Sequence, residues 1–546
     1  MKRNRSIFLL VFIAFFYACT KVKTKKNASE VLNATSQKTN FLFITTDDHA
    51  YQAISAYDSK LIHTPNIDRI AKEGMLFKKA FVTNSICSPS RAVALTGKFS
   101  HLNSVRDNLD VFDTLQVTFP KLLQENGYET AIYGKWHLKS KPKGFDFWEV
   151  LPDQGHYYNP TFLSSNGAFK TKGYVTDIIT EKTLGYLDSL RNKEKPFMLM
   201  YNHKAPHRQW WPSLNDLEEF KNRKIPVPET LFDEYKTKSK ASFDAEMRIS
   251  DHLALSADNK IDPKILEKLN YKEFLDWYAS SYTERFNRLS TIDQEKWMNV
   301  YGPINKQFEH LHPKGKALTL WKYQRYLEDY LGVIKSVDRN IGRILDYLDE
   351  HDLVKNTMVI YTSDQGFFLG EHGWFDKRFM YEESFRTPLL IRYPEKITPK
   401  SINSDLVQNI DFAPTIIDLA GVTIPKEMQG KSLLPLFYNN NENWRDALYY
   451  HYYEFPGIHM VKRHYGIRTK RYKLIRFYYD IEAWEFYDLE KDPQELNNLY
   501  GNSAYKEVQL KLHKKLEQLR INYKDSDSLN QEFIKSDLIR LEKLQI

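Results

Sequence analysis

Continuous apolar runs that favour β-strands recur along this chain, far apart and separated by segments of helical periodicity. The runs occupy residues 41–46, 130–133, 196–201, 358–362 and 388–393. Strands that are apolar at every position, rather than at alternate positions, are typical of a sheet covered on both faces. Their alternation with helices predicts an α/β fold, in which a large central, mostly parallel sheet is flanked by helices.

One long amphipathic segment covers residues 323–349, where apolar side chains recur at steps of three and four residues. This period predicts a single helix whose apolar stripe packs in the core. Residues 210–320 are more irregular and more charged. We interpret that stretch as a long insertion that decorates the sheet, rather than as a separate domain.

The length of 546 residues, with 42% hydrophobic and 27% charged residues, indicates a globular protein with one large domain and a smaller partner. We predict a main domain at 39–440 and an α+β C-terminal subdomain at 441–546. Short aromatic strands are predicted there at 448–453, 466–477 and 484–489, and a charged helix is predicted from about residue 504.

The net charge of +8 comes from Lys and Arg scattered among Asp and Glu, which does not indicate nucleic-acid binding.

The N-terminus has the pattern of an export signal. A basic start precedes an apolar run that ends at Ala18, and Cys19 and a polar, basic stretch follow. About a dozen apolar residues are too few for a lasting transmembrane helix, which requires about 20. A small residue before Cys19 resembles the processing site of bacterial lipoproteins. We therefore predict a signal peptide at 1–19, lipidation of Cys19 and a tether at 20–38. The protein would be exported to the periplasm or cell surface on a lipid anchor, with plain secretion as the alternative.

Cys19 and Cys87 are the two cysteines of the chain. If processing consumes Cys19, the exported protein has no disulfide and Cys87 has no partner. A single thiol of this kind is either an inert buried side chain or a reactive one. The residues around Cys87 decide between these alternatives.

Cys87 begins the string Cys-Ser-Pro-Ser-Arg-Ala-Val-Ala-Leu-Thr-Gly, which ends at Gly97. Pro89 suits the first turn of a helix and Gly97 suits its end, so the string predicts a helix with Cys87 at its N-terminus, beside Arg91. The partial positive charge of a helix N-terminus and the arginine would both favour an anion or a polarised oxygen there. Without further context, a buried thiol near a helix cap is the alternative.

The string resembles the sulfatase motif Cys-x-Pro-Ser-Arg followed by Leu-Thr-Gly, in which the cysteine is oxidised to formylglycine (3-oxoalanine). Further landmarks of that family occur in the family's order over nearly the whole exported chain. The resemblance implies the alkaline-phosphatase-like form of the predicted α/β fold. It also implies that a formylglycine-generating enzyme is the partner that modifies Cys87.

Two pairs of residues that follow apolar strands resemble the family's metal ligands. Asp47 and Asp48 follow the first run, and Asp364 and Gln365 follow the run near residue 360. Carboxylate and amide oxygens are ligands for a hard cation. The resemblance implies one Ca²⁺, with Mg²⁺ as the alternative, and an oxygen of the modified Cys87 as a further ligand. Many family members have Asn where this chain has Gln365, whose side chain still supplies a carbonyl oxygen.

Basic residues in three further strings match family positions that bind sulfate or transfer protons. They are Lys135 and His137 in Gly-Lys-Trp-His-Leu, His207 in His-Lys-Ala-Pro-His, and Lys377 at the end of Gly-Glu-His-Gly-Trp-Phe-Asp-Lys. His203 opens the second string but matches less clearly. Tyr381-Glu382 follows the third string in the family's register.

By resemblance, hydrated formylglycine attacks the sulfur of a sulfate ester in line, after Asp364 and the metal help to ionise one of its hydroxyls. Arg91 would orient this diol. Lys135, Lys377 and the metal would neutralise the sulfate oxygens. Two histidines would transfer the protons, His207 as the acid for the departing sugar hydroxyl and His137 as the base that releases sulfate.

The implied substrate is a sulfated polysaccharide or its oligosaccharides. The Asp-Gln pair and the Gly-Glu-His-Gly-Trp stretch resemble those of bacterial polysaccharide-degrading sulfatases, and we favour an algal glycan such as ulvan. A glycosaminoglycan or N-acetylglucosamine-6-sulfate sulfatase is the alternative. A phosphoester or phosphonate hydrolase of the same superfamily would share the sheet and the metal but not the cysteine motif. A non-catalytic lipoprotein that binds sulfated glycans is expected only if Cys87 escapes modification.

Overall fold

The computed structural model describes residues 38–219 and 223–544. The predictions for the signal peptide at 1–19, for lipidation of Cys19 and for the tether up to residue 37 lie outside these residues. Within the described ranges, no helix combines the length and the apolar character that crossing a membrane requires.

Strands and helices are distributed over the whole described chain. The strands are β1 (Asn40–Thr46), β2 (Met75–Phe77), β3 (Ala80–Phe81), β4 (Glu129–Lys135), β5 (Phe147–Leu151), β6 (Thr161–Ser164), β7 (Gly167–Lys170), β8 (Phe197–Asn202), β9 (Thr357–Ser363), β10 (Phe368–Leu369), β11 (Phe375–Asp376), β12 (Leu389–Arg392), β13 (Ser401–Asn403), β14 (Val407–Gln408), β15 (Ala447–Tyr452), β16 (His464–Thr469), β17 (Tyr472–Phe477) and β18 (Ala483–Asp488). The α-helices are α1 (Pro65–Lys72), α2 (Cys87–Thr96), α3 (Ser100–Asn103), α4 (Phe119–Glu125), α5 (Val175–Gly185), α6 (Lys240–Asp244), α7 (Pro263–Lys268), α8 (Trp277–Asn287), α9 (Thr291–Leu311), α10 (Gly315–Glu350), α11 (Glu382–Phe385), α12 (Phe412–Leu419), α13 (Leu434–Phe437), α14 (Lys506–Asn522) and α15 (Asp527–Leu544).

A ten-stranded sheet forms the centre of the fold, in the order β13-β2-β12-β9-β1-β8-β4-β5-β6-β7. The strands from β9 to β5 in this order are parallel to one another. Antiparallel strands join on both sides, β12 against β9 and β6 against β5. This is the mostly parallel sheet that the spacing of the apolar runs predicts.

The apolar runs are continuous because both faces of the sheet are covered. In β1, Leu42 and Ile44 pack on the face covered by α10, and Phe41 and Phe43 pack on the face covered by α4 and α12. Successive side chains of a strand point to opposite faces, so every position of β1 is buried. Each large apolar side chain that is fully buried contributes roughly 1.5–3 kcal/mol to stability.

The long helix predicted at 323–349 is α10, which is 36 residues long and begins earlier, at Gly315. The insertion at 210–320 is more ordered than its sequence indicates, since it contains α6 to α9. Helix α9 alone has 21 residues and buries Trp297, Tyr301 and Phe308. The other positions of α9 are mostly polar or charged, so its apolar stripe is difficult to recognise in the sequence.

The C-terminal region contains an antiparallel sheet in the order β15-β16-β17-β18. The run at 466–477, which the sequence predicts as one strand, is the hairpin of β16 and β17, with exposed Lys470 in its turn. The charged helix predicted from about residue 504 is two helices, α14 and α15. The domain boundary at residue 440 stays a prediction.

This small sheet also holds the chain segment that follows β11. Lys473 Nζ donates a hydrogen bond to the Met380 carbonyl at 2.7 Å, and the Met380 N–H donates to His464 Nε2 at 3.1 Å. The segment includes Lys377, one of the residues predicted to bind sulfate. The C-terminal sheet therefore supports a part of the candidate site.

Candidate active site

The carboxyl ends of four parallel strands lie together at one edge of the central sheet. The register pairs Thr46 of β1 with Ser363 of β9, Thr45 of β1 with Asn202 of β8, and Asn202 with Gly134 of β4. Residues that follow these strands must therefore meet at this edge. These residues include every acid, amide and histidine that the sequence predicts for the site.

Asp47, Asp48 and Asp364 form a buried acidic cluster, with carboxylate oxygens within 4.8 Å of one another. The Asp48 N–H donates to Asp364 Oδ1 at 3.1 Å. Burial, together with the neighbouring carboxylates, raises the pKa of Asp48 to about 6 and that of Asp364 to about 7. Three crowded acids of this kind favour a bound cation.

Each acid of the cluster is paired with one basic side chain. Lys135 Nζ contacts Asp47, Lys377 Nζ lies 2.6 and 2.7 Å from the oxygens of Asp48, and Arg91 donates to Asp364 Oδ2 at 3.0 and 2.8 Å. Burial raises the pKa of Asp47, but the nearby cations, chiefly Lys135, outweigh it and hold that pKa well below its usual value. The negative charges of the three acids are therefore balanced by the three basic side chains before any ligand binds.

Cys87 is the first residue of α2, and Gly97 ends that helix in the left-handed conformation, as predicted. The thiol is completely buried, with Sγ 3.5 Å from Asp47 Oδ1 and 3.8 Å from Gln365 Nε2. Burial is the main reason that the pKa of Cys87 lies well above its usual value. An unmodified Cys87 therefore stays protonated, and it is a poor nucleophile.

The residues around the acidic cluster fit one divalent cation. Gln365 donates through Nε2 to Asp48 Oδ1 at 2.5 Å, while its buried Oε1 has no hydrogen-bond partner. Rotation of the amide by half a turn would present Oε1 instead, since the two ends of an amide are nearly identical in shape. Three carboxylates and one amide oxygen are a donor set for Ca²⁺ or Mg²⁺.

Two of the three predicted histidines lie at the cluster. His137 Nδ1 is 3.4 Å from Ser88 Oγ, and His207 Nε2 is 3.8 Å from Asp48 Oδ2. Burial, with Lys135 among the nearby charges, holds the pKa of both imidazoles well below the usual value. His203 is different, because it packs against Tyr201 and neither ring nitrogen has a hydrogen-bond partner.

Gly134 lies in β4 directly before Lys135, in a backbone conformation that residues with a side chain rarely adopt. Its φ is 104°, and a Cβ built there would lie 1.9 Å from the Asn202 carbonyl oxygen. We expect Gly134→Ala to lower the free energy of unfolding by about 3 kcal/mol or more, measured by chemical denaturation. The control is Gly167→Ala, where φ is 107° and nothing lies within 4 Å. Its expected cost is about 1 kcal/mol, and equal losses in the two variants would contradict the steric explanation.

Several residues that the sequence did not single out border the site. Arg378 contacts Asp376, and His459 Nε2 lies 3.3 Å from Asp376 Oδ2. Asp376 and Arg378 have positive φ values of 75° and 92°, a strain typical of functional sites. Arg378 could have been predicted as a site residue, because it directly follows Lys377 in the sequence. His459 lies in a loop after β15 and carries no motif.

A family model described as sulfatase matches residues 39–422. The chain belongs to the sulfatase family. A second model, described as the C-terminal part of N-sulphoglucosamine sulphohydrolase, matches residues 370–522. The prediction from the Cys87 string, an enzyme that hydrolyses sulfate esters, is confirmed.

This sulfatase is 46% identical over 533 residues to an N-acetylglucosamine-6-O-sulfatase of Bacteroides thetaiotaomicron, covering 96% of this chain and 93% of the relative. It is 25% identical over 545 residues to an ulvan-active sulfatase of Formosa agariphila, covering 96% and 89%. One solved structure, of a protein in complex with its substrate D-glucosamine-2-N,6-O-disulfate, is 47% identical with a TM-score of 0.86. The likeness covers 90% of this chain and 99% of that chain. It confirms the predicted alkaline-phosphatase-like α/β fold.

Proposed function

We propose that this sulfatase removes the 6-O-sulfate group from N-acetylglucosamine or N-sulfoglucosamine residues of glycosaminoglycan-type glycans. The proposal depends on the 46% identity, over 96% of the chain, to an N-acetylglucosamine-6-O-sulfatase. The 25% identity to an ulvan-active sulfatase gives weaker support to the algal substrate that we favoured from the sequence. The glycosaminoglycan alternative therefore replaces ulvan.

The proposed nucleophile is formylglycine made from Cys87 by a formylglycine-generating enzyme. Its hydrated form places an oxygen where Sγ now lies, beside Asp47 and within reach of the acidic cluster. Asp364, held by the two hydrogen bonds from Arg91, is placed to receive a proton from that oxygen. One divalent cation, which we propose to be Ca²⁺, would be held by Asp47, Asp48, Asp364 and Gln365 and would supply Lewis-acid stabilisation of negative charge.

Lys135 and Lys377 are the proposed sulfate-binding cations. Their side chains are 0% and 3% exposed, so their charges act in a medium of low polarity. A cation at the cluster would compete for Asp47 and Asp48, and each ammonium could then turn to a sulfate oxygen. The position 87 oxygen attacks sulfur in line as the bond from sulfur to the sugar oxygen breaks.

His207 is the proposed acid. Its Nδ1 contacts the Arg208 carbonyl, which can only accept, so Nδ1 carries a proton and Nε2 faces the site. The negative charge of a bound sulfate ester would raise the low pKa of His207, and the protonated ring would then deliver its proton from Nε2 to the leaving oxygen. His137 would remove the proton of the second hydroxyl, so that sulfate leaves and the aldehyde re-forms.

The sugar would lie at the mouth of the site. A cavity of about 460 Å³ opens beside His137 and is lined by aromatic and basic side chains, among them Trp148, Lys139 and Lys141. Aromatic faces and cations of this kind suit a sulfated sugar chain. Asp376 and Arg378, on either side of Lys377 in the sequence, carry further polar groups that can bind sugar hydroxyls.

The location of the protein remains part of the proposal. We retain export to the periplasm or cell surface with a lipid on Cys19, as the sequence of the N-terminus predicts.

The test is sulfate release from N-acetylglucosamine 6-sulfate, compared with sulfated ulvan oligosaccharides and a phosphonate monoester. We expect turnover of the 6-sulfated sugar by protein whose intact mass is about 18 Da below that of the unmodified chain. Activity on ulvan oligosaccharides without activity on N-acetylglucosamine 6-sulfate would contradict the proposal. Chelation should abolish activity, and Ca²⁺ should restore it better than Mg²⁺.

A further inference from the structure

Lys204 is a buried cation that the proposed mechanism does not use. It is 3% exposed and lies three residues before His207. The buried lysines of the described ranges otherwise have a hydrogen-bond acceptor for the ammonium group, but Lys204 Nζ has none. It lies only over the ring of Tyr157, at 4.8 Å from the ring centre.

The charged residues near Lys204 do not pair with its ammonium group. Burial is the main cause that lowers the pKa of Lys204, to about 7, and the charge of Lys135 lowers it further. Asp47 and Asp48 act in the opposite direction, but both are already paired with other lysines. An ammonium group without an acceptor in the protein, at the end of a buried side chain, is favourable where a ligand supplies the missing charge.

Arg285 of α8 is a second cation in the same region, since its neighbour Glu284 lies 3.8 Å from His156, the residue before the Tyr157 whose ring lies under Lys204. The charge of Arg285 also contributes to lowering the pKa of Lys204. Its Nη1 donates to the Ser281 carbonyl at 3.1 Å and to the Ser281 hydroxyl. Within the described ranges, no carboxylate lies within salt-bridge distance of Arg285, because nearby Glu284 contacts Arg288 and His156 instead. The remaining guanidinium nitrogens are free to bind an anion.

The position of this pair relates it to the reaction. The Tyr157 ring beneath Lys204 carries a hydroxyl that donates to the His207 carbonyl at 2.7 Å. His207 is the proposed acid for the leaving sugar oxygen. The two cations therefore lie on the side of the site where the sugar, rather than the sulfate, would be bound.

We propose that Lys204 and Arg285 form a second anion site, which binds a further sulfate or carboxylate of the substrate next to the scissile ester. This inference rests on the proposed function. A 2-N-sulfate on the same sugar and the carboxylate of a neighbouring uronic acid have the required chemistry. Charge-assisted hydrogen bonds from both cations would make such substrates bind more tightly.

The test compares kcat/KM for three substrates by released sulfate: N-acetylglucosamine 6-sulfate, glucosamine 2-N,6-O-disulfate, and a disaccharide of uronic acid and 6-sulfated N-acetylglucosamine. Lys204→Met is expected to lower the ratio of the disulfate to the monosulfate value by about tenfold or more, mainly through KM. A fall confined to the disaccharide ratio would identify the carboxylate as the ligand. Arg285→Met should act in the same direction.

Lys172→Met is the control, since Lys172 is exposed, and it should leave all three values unchanged. Lys204→Met should melt no lower than the wild type, because it removes an unpaired buried charge. If Lys204→Met does not fold, the same comparison of substrates with Arg285→Met tests the second site, since the Arg285 side chain is partly exposed. Equal losses on all three substrates, or unchanged ratios, would overturn the second site while the proposed function stands. A wild-type enzyme inactive on all three would instead overturn the proposed function, and the inference with it.

Discussion

Replacing Cys87 with serine is expected to lower kcat/KM for sulfate release by about a thousandfold or more. The change exchanges one sulfur for an oxygen in an enclosed position, so the fold should be kept. A serine that is not itself oxidised offers one hydroxyl of very high pKa, and it cannot form the diol that the proposed mechanism requires. Released sulfate and the intact mass of the variant are the two measurements.

The wild-type protein supplies the matched control for this prediction. Preparations that differ in the fraction of chains lighter by about 18 Da should differ in activity in the same proportion. Substantial turnover by protein whose mass shows unmodified Cys87 or Ser at this position would rule out the proposed nucleophile.

Asp364→Ala should abolish activity and also destabilise the protein. The variant loses a proposed cation ligand and leaves Arg91 buried without its main partner, which lies at 2.8 and 3.0 Å. Breaking a buried pair on one side costs about 3–5 kcal/mol. Chemical denaturation would measure the loss of stability, and elemental analysis would measure bound metal.

Asp346→Ala is the control for the loss of an ion pair. Asp346 lies 2.6 Å from Arg69, but its side chain is 59% exposed, so the expected cost is about 1 kcal/mol or less. Activity should be unchanged in this variant. If Asp364→Ala were no less stable than Asp346→Ala, the pairing of Arg91 with Asp364 would not contribute as the structure indicates.

The strands that carry the site could be predicted because their signal is local. The runs at 41–46 and 358–362 correspond to β1 and β9 within one residue at each end. A strand buried on both faces must be apolar at every position, and the acids that follow it mark its end. The helix that begins at Cys87 was predictable for the same reason, since Pro89 and Gly97 act within the helix itself.

The rest of the site depends on contacts between distant segments. Lys135 Nζ lies 2.5 Å from Gln154 Oε1, and Ser88 N–H donates to Asn108 at 3.1 Å. Neither Gln154 nor Asn108 stands in a pattern that indicates such a contact. Lys204 shows the limit most clearly, because its missing partner is a property of the folded surroundings and not of its neighbours in sequence.

If formylglycine is made from Cys87 as proposed, the complete enclosure of this side chain sets an order of events in biosynthesis. An enzyme that oxidises this side chain needs access to it, but Cys87 is 0% exposed in the folded protein. In the proposed maturation, oxidation would therefore precede folding, and the rate of folding would limit the time available for it. A chain that folds first would keep a protonated thiol in a finished site, stable and permanently inactive. The yield of active enzyme from a host cell would then depend on the rate of Cys87 oxidation relative to the rate of folding, and not on the stability of the folded protein.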